Sequence, residues 1–399
     1  MRVLVLLNSL ELGGTQINAV DFSVALRAHG VESLLVGERA SLAPEPNLLT
    51  YAAEQDVAIE LYDALPGMRA HAAQLTSLAK RLDIDLIHVY GMWSLARQVF
   101  WGPARFGRVP WVQTVYEMSI ATVVLRHMPL IVGTGYLLDE LRDRPGPTAL
   151  VSPPVDLERD APTNGDPGGF RRENGLGDGL LLGIVSRLDS NMKAIAIEIA
   201  IDAMRSLATE EVTLFVVGAG DAEASLSARV REVNNAAGRA AVRMLGARAD
   251  PRSAYAAADI VLGMGSSAAR ALAFGRPLIV QGEAGWSKLF EPATAESLAR
   301  SSYWSPDTAT EPVDDLVRAA RILLSDAPRR AELGAFGREF AAQRFGLEAM
   351  TVRMAAFYGE ALSAYGVRAW AADLPREGRR LIEKLARTFR RALSGRGSS

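Results

Sequence analysis

The strongest constraint on this chain is a rhythm that runs through it twice: a short, largely apolar run, then a longer stretch whose apolar residues recur at helical spacing. In the first half the runs lie at residues 3–7, 32–36, 86–89, 111–114 and 130–132, and the helical stretches at 15–29, 68–82 and 94–106. A largely apolar run suits a strand buried on both faces, and helical crossovers between such strands make them parallel. The rhythm breaks across residues 152–179, where Pro153-Pro154 and Asn164-Gly165-Asp166-Pro167-Gly168-Gly169 gather turn-forming residues. It restarts with runs at 180–185, 212–217, 242–245, 260–262 and 278–281 and helical stretches at 192–207, 222–233 and 267–274, and after Pro306 only helical spacing continues, to residue 365. The expected fold is α/β: two Rossmann-like, doubly wound parallel-sheet domains facing a cleft, with C-terminal helices. Expected boundaries are 1–155 for the N-terminal domain, 156–345 for the second, 346–370 for a helix crossing back to the first, and 371–399 for a basic amphipathic tail. A length of 399 residues agrees, because a single core rarely grows that far.

Several classes of function drop out early. The chain contains no cysteine, so it can hold no disulfide, thiolate metal site or cysteine nucleophile, and a reducing, cytoplasmic setting is expected. A net charge of -2 supplies no cationic field for a phosphate backbone, so no nucleic-acid partner is expected. The opening Met1-Arg2-Val3-Leu4-Val5-Leu6-Leu7 turns polar at Asn8-Ser9, too short for a signal segment or a membrane span, and reads as a first strand. No two histidines have metal-binding spacing; His29 and His71 fall on helical stretches and read as surface residues. Asp83-Ile84-Asp85 has metal-like spacing but precedes the run at 86–89, the wrong end of a sheet, and reads as a solvated loop. Gly218-Ala219-Gly220 follows a strand, yet Glu223 stands where a dinucleotide fingerprint needs a third glycine.

Three places have the chemistry to hold phosphate. Gly13-Gly14-Thr15 joins the first strand to the first helix at the carboxyl end of the sheet, where open α/β sheets take ligands, with Thr15 able to cap the helix. It is either a phosphate approach or a tight turn. Arg187 ends one strand and Lys193 lies at the next helix start; a cation there opposes the helix dipole unless an anion is bound. They are either a diphosphate clamp or an exposed pair. Gly263-Met264-Gly265-Ser266-Ser267 offers backbone donors and two hydroxyls before a helix carrying Arg270, either as a cradle for the distal phosphate or as a capped helix start. In the tail, Arg376, Arg379, Arg380, Lys384, Arg387, Arg390, Arg391 and Arg396 surround Leu381, Leu385, Phe389 and Leu393. The 376–396 helix therefore suits either peripheral contact with an anionic inner membrane face or a partner, or packing on the body.

Over roughly residues 1–365 the chain resembles the GT-B glycosyltransferases of family 4, the group 1 enzymes. The resemblance rests on residues 10–15, Ile87-His88-Val89-Tyr90, Val109-Pro110-Trp111-Val112-Gln113-Thr114, Ser152-Pro153-Pro154-Val155-Asp156, Arg187 with Lys193, Val217-Gly218-Ala219-Gly220 and Arg270-Ala271-Leu272-Ala273-Phe274-Gly275-Arg276-Pro277. It implies retaining, metal-independent and cofactor-free transfer of a sugar from a nucleotide-diphosphate sugar to a hydroxylated acceptor: a small molecule, a glycan or a lipid-linked group. It makes Arg187 and Lys193 the catalytic cations. Gly14, Gly263, Gly265, Ser266, Ser267, Arg270 and Glu283 fall on the donor side, and Gly13, Thr15, Tyr90, Tyr116 and Glu117 on the acceptor side. The family's two glutamates eight positions apart are absent, since Leu262 and Arg270 stand there, and Glu283 in the next loop is the candidate substitute. That departure keeps two other readings in view, a catalytically silent relative that binds a partner or membrane and a nucleotide-sugar epimerase.

Overall fold

The computed structural model describes residues 1–394 except Pro46, Met92 and Ala249, with the side chains of residues 93, 94 and 381–394 outside the description. The chain divides into two compact units, Met1–Pro153 with the chain from Met350 onward, and Pro154–Ala349.

The first unit holds seven strands: β1 (Arg2–Leu7), β2 (Glu32–Glu38), β3 (Ile59–Tyr62), β4 (Leu86–Tyr90), β5 (Trp111–Val115), β6 (Leu130–Val132) and β7 (Thr148–Leu150). They run in the order β3-β2-β1-β4-β5-β6-β7, all parallel, with Leu4 opposite Leu34 on one side and Ile87 on the other. Leu4, Leu6, Ile87, Val89, Trp111 and Leu130 share a core with Leu75, Val99 and Phe100 from the crossover helices. β3 escapes the sequence pattern because Glu60 interrupts it at the sheet edge. With β3 in place His71 is buried, not a surface residue: its ring is 3.0 Å from the Tyr62 hydroxyl, and desolvation lowers its pKa despite Glu38 nearby. His29 is exposed. Asp85 accepts the backbone N–H of Arg2 at 2.8 Å, a local brace at the amino end of the sheet.

The second unit repeats the plan with β8 (Leu180–Val185), β9 (Val212–Val217), β10 (Val242–Met244), β11 (Ile260–Gly263), β12 (Leu278–Gln281) and β13 (Ser287–Leu289), ordered β10-β9-β8-β11-β12-β13, with only β13 antiparallel. The two-residue period of a strand sends Leu182, Ile184, Leu214 and Val216 into one core and Leu181, Phe215, Val217 and Val261 into another, one for each helical layer. The turn-rich segment at the unit's start is not all linker. Asp166 caps a helix Pro167–Asn174 by accepting the Gly169 N–H at 2.8 Å, Pro167 opens it, and Gly175 closes it in a left-handed conformation.

The last helix, Val367–Ser394, starts ahead of the expected tail boundary at 371, and its first turns pack on the body of the unit through buried acids. Asp373 accepts the N–H groups of Arg126 and His127, each at 3.0 Å, and Glu377 accepts from Arg97 at 2.8 Å, Trp101 at 3.1 Å and Arg380 at 2.7 Å. Arg376 and Arg380 also donate to the Thr122 carbonyl, so these two cations serve the body of the unit. Arg379 is exposed. The side chains of Leu381, Lys384, Leu385, Arg387, Phe389, Arg390, Arg391 and Leu393, and all of Arg396, lie outside the described residues. No helix among the described residues is long and apolar enough to cross a membrane.

Candidate functional site

Each sheet reverses its strand order at one place, between β1 and β4 in the first unit and between β8 and β11 in the second. At such a reversal the loops at the carboxyl ends of the two central strands diverge to opposite faces and leave a crevice. In the second unit those loops are residues 186–193 and the turn after β11.

The loop after β8 is fixed along its length. Ser186 and Leu188 donate to the carbonyls of Val217 and Ala219, each at 3.0 Å, and Asp221 receives both the Ser190 N–H at 3.0 Å and its hydroxyl at 2.6 Å. A Cβ on Gly218 would stand 1.8 Å from the Ser186 carbonyl oxygen, so the Gly218-Ala219-Gly220 run exists to let this loop lie close. Arg187 projects from the loop with 84% of its side chain exposed, its only ion pair among the described residues a loose 3.9 Å approach to Asp189. Lys193 is the N-cap residue of the helix Ala194–Ser206. Its ammonium is pushed down to about 8, chiefly by burial and further by Arg187, against the opposing pull of Asp189 and Glu283. A half-desolvated ammonium at a helix N-terminus, beside a second cation, is an arrangement that a bound dianion relieves.

The turn after β11 differs in detail from the expected cradle. Gly265 has φ 59° and ψ −133°, a conformation essentially reserved for glycine, but its N–H is not free for a ligand, because it donates to the Tyr303 carbonyl at 3.2 Å. The Ser267 hydroxyl likewise donates to the Met264 carbonyl at 3.0 Å, and a Cβ on Gly263 would crowd that hydroxyl at 2.9 Å. Ser266 is exposed, and the N–H groups of Ser266, Ser267 and Ala268 precede the first intrahelical bond, from Ala269 to Gly265. The donors on offer are thus the first-turn N–H groups of Ser266 and Ser267, since Ala268 is buried. Arg270 is not a free donor-binding cation either: its Nε is 2.9 Å from Asp160, whose buried carboxyl is pushed up by desolvation and drawn back by the guanidinium. Glu283 does lie near Lys193, and its Oε2 accepts the indole N–H of Trp304 at 2.9 Å. Trp304 was missed in the sequence because it falls in an irregular stretch with no motif.

The corresponding place in the first unit is built differently. Gly13, not Thr15, is the N-cap residue of the helix Gly14–Ala25, and no side chain caps it. Gly14 is exposed, and a Cβ there would meet nothing within 4 Å. Gln16 donates to Asn8 at 2.7 Å, tying the helix to the end of β1. Tyr90 cannot line an open acceptor surface. It is fully buried, stacked on His88 at 4.1 Å, with its hydroxyl on the Met354 sulfur. His88 stands between the hydroxyls of Tyr358 and Thr114, each at 2.6 Å, and burial pushes its pKa down to about 3, so the ring is neutral. The Tyr116 hydroxyl is buried without a partner, and Glu117, just beyond it, is exposed. Among the described residues no three His, Asp or Glu side chains are grouped to hold a metal ion.

Residues 179–326, the portion carrying Arg187, Lys193 and the turn after β11, match the family model described as Glycosyl transferases group 1. The chain has the GT-B fold, and residues 179–326 of its second unit resemble the group 1 glycosyltransferases. Among solved structures, the chain is similar to Anabaena HepE in complex with UDP, with a TM-score of 0.69 and 18% identity over 90% of this chain and 100% of that one. A glycosyltransferase from Rickettsia africae also gives 0.69, with 13% identity and coverages of 90% and 98%. Sucrose-phosphate synthase from Thermosynechococcus elongatus gives 0.66, with 16% identity and coverages of 91% and 100%. No curated protein sequence matches the chain.

Proposed function

We propose that this chain moves a sugar from a nucleotide-diphosphate sugar to a hydroxylated acceptor, with retention of configuration and without a metal ion. The observation that carries the reading is the placement of Arg187 and Lys193 on one rigid loop at the reversal of the second sheet. Cleavage of the sugar–phosphate bond leaves charge on the diphosphate. Two cations and the first-turn N–H groups after Gly265 stabilise that charge most as it develops, which is what lowers a barrier. In this reading Glu283 accepts a sugar hydroxyl through its second carboxylate oxygen, and Arg270, locked to Asp160, shapes the wall without touching phosphate. On the acceptor side remain the exposed Gly14 turn with Gly13 and Thr15, and Glu117. Anabaena HepE has been crystallised with UDP-glucose, which makes uridine nucleotides the first donors to try.

The test is a screen of UDP-, GDP-, TDP- and ADP-sugars with the full chain, with and without EDTA, following release of nucleoside diphosphate and the anomeric signal of the product by NMR. Release that survives EDTA, with the donor's anomeric configuration kept, is the expected result. No turnover with any donor and acceptor class would contradict the reading, and an epimerised sugar would replace it.

A further inference from the structure

Two non-glycine residues in succession, Ser302 and Tyr303, hold left-handed backbone with φ of 56° and 58°. A left-handed conformation costs an ordinary residue on the order of 1 kcal/mol or more, and a pair of such residues persists only where surrounding structure imposes it. Part of the imposition is local. Ser302 and Tyr303 donate to the carbonyls of Ala299 and Leu298, at 3.0 and 2.9 Å, and close the helix Ala295–Arg300. The rest is packing: the Tyr303 ring is buried against Phe290 and Phe345, although its hydroxyl finds no partner there. The backbone that emerges from this bend reaches both loops in turn. The Tyr303 carbonyl receives the Gly265 N–H at 3.2 Å, the Trp304 indole N–H reaches Glu283 at 2.9 Å, and the Ser305 carbonyl receives the Glu283 N–H at 3.1 Å.

We propose that residues 302–305 are a strained positioning element that fixes the turn after β11 and the Glu283 loop at one separation, holding the Glu283 carboxylate opposite Lys193. None of the four needs to touch substrate. Tyr303 sets where the helix Ser266–Ala273 begins, through the one residue, Gly265, whose own backbone is unattainable for other residue types. Trp304 sets where the carboxylate stands, and both are spaced by consecutive residues of a bend that cannot stretch. The packing of Tyr303 against Phe290 and Phe345, which imposes the strain, keeps the bend from relaxing into an ordinary turn that would part the two loops. The link between the loops is a property of the ligand-free protein; the consequence for donor binding rests on the functional reading above.

Amide hydrogen exchange on the full chain without ligand tests the link directly. Trp304→Phe is expected to accelerate exchange across residues 263–268 as well as 282–286. Ser302→Gly, which removes the backbone cost, is expected to leave the melting temperature equal or higher while still loosening 263–268. Unchanged exchange at 263–268 in both variants overturns the proposal, whatever the enzyme's substrate. Calorimetry with UDP-glucose, or with whichever donor the screen identifies, then tests the consequence. Trp304→Phe and Glu283→Ala should each weaken binding about tenfold, and the double variant no further, since both act through one carboxylate. Fully additive effects would overturn the assignment. The pH profile separates positioning from packing: with Asp189 and Arg187 unchanged beside Lys193, misplacing Glu283 moves the loss of binding to lower pH, whereas a packing defect leaves it in place. A wild-type chain that binds no nucleotide sugar sinks the functional reading, and the exchange result still decides the link.

Discussion

The two sheets reverse at the same topological point, yet what they place there is opposite in character. After β8 the second unit presents an exposed guanidinium and a half-buried ammonium on a loop stapled to its neighbour; after β1 the first unit presents a bare glycine turn, and behind it a neutral cluster of His88, Tyr90 and Tyr358. Topology therefore supplies two crevices, and in the proposed function side-chain charge decides which of them takes the diphosphate.

The largest effect that could break this contrast is one of stability. Tyr358→Ala opens a cavity beneath β4, and such truncations cost about 3–5 kcal/mol, so a large drop in the denaturation midpoint is expected with donor affinity unchanged. A parallel loss of donor affinity would mean that the first unit's core governs the second unit's chemistry. Next comes Lys193→Met. Losing one charge-assisted contact is worth about 1.5–3 kcal/mol, so calorimetry should show donor binding weakened roughly 10- to 100-fold in a protein that is no less stable.

Acid and alkali should separate the units. His88 is pushed down to about 3 from 6.5, so the unfolded chain takes up a proton that the folded chain refuses, and stability in the first unit is lost as pH falls below 6.5. Lys193 is also depressed, from 10.5 to about 8, so the unfolded chain binds the extra proton between those values and stability in the second unit rises with pH across that window. Donor affinity should fall across the same window, as the ammonium discharges. Exchange mapped to each unit, beside calorimetry at pH 7 and 9.5, reads all three signs. The smallest effect is that of Gly14→Ala. The added methyl meets nothing, so the melting temperature should hold, and a several-fold loss of transfer rate alone would mark a substrate passing close to that turn.

The central strands were legible because they are buried on both faces and read as largely apolar runs; β6, β8, β9 and β12 begin and end where those runs do. Of the four edge strands only β10 was: β3, β7 and β13 are short and half-exposed, so solvent, not the core, shapes their sequence. The same divide applies to the site. Arg187 and Lys193 stood out because a strand end and a helix start are local signals. Asp160 lies 110 residues from its partner Arg270 and Trp304 lies 21 from Glu283, so no pattern in the chain could announce either pairing. Likewise the basic stretch after residue 371 looked uniform until folding placed Asp373 and Glu377 against backbone donors and cations of the first unit.

The most direct measurement is calorimetric titration of a UDP-sugar into the wild-type chain and into the Arg187→Ala, Lys193→Ala double variant, both shown to be folded. Removing both cations should abolish measurable binding, a loss of about a hundredfold or more at 1.5–3 kcal/mol for each charged contact. Equal affinities in the two proteins would contradict the account, because the donor would then be held somewhere that these cations do not reach.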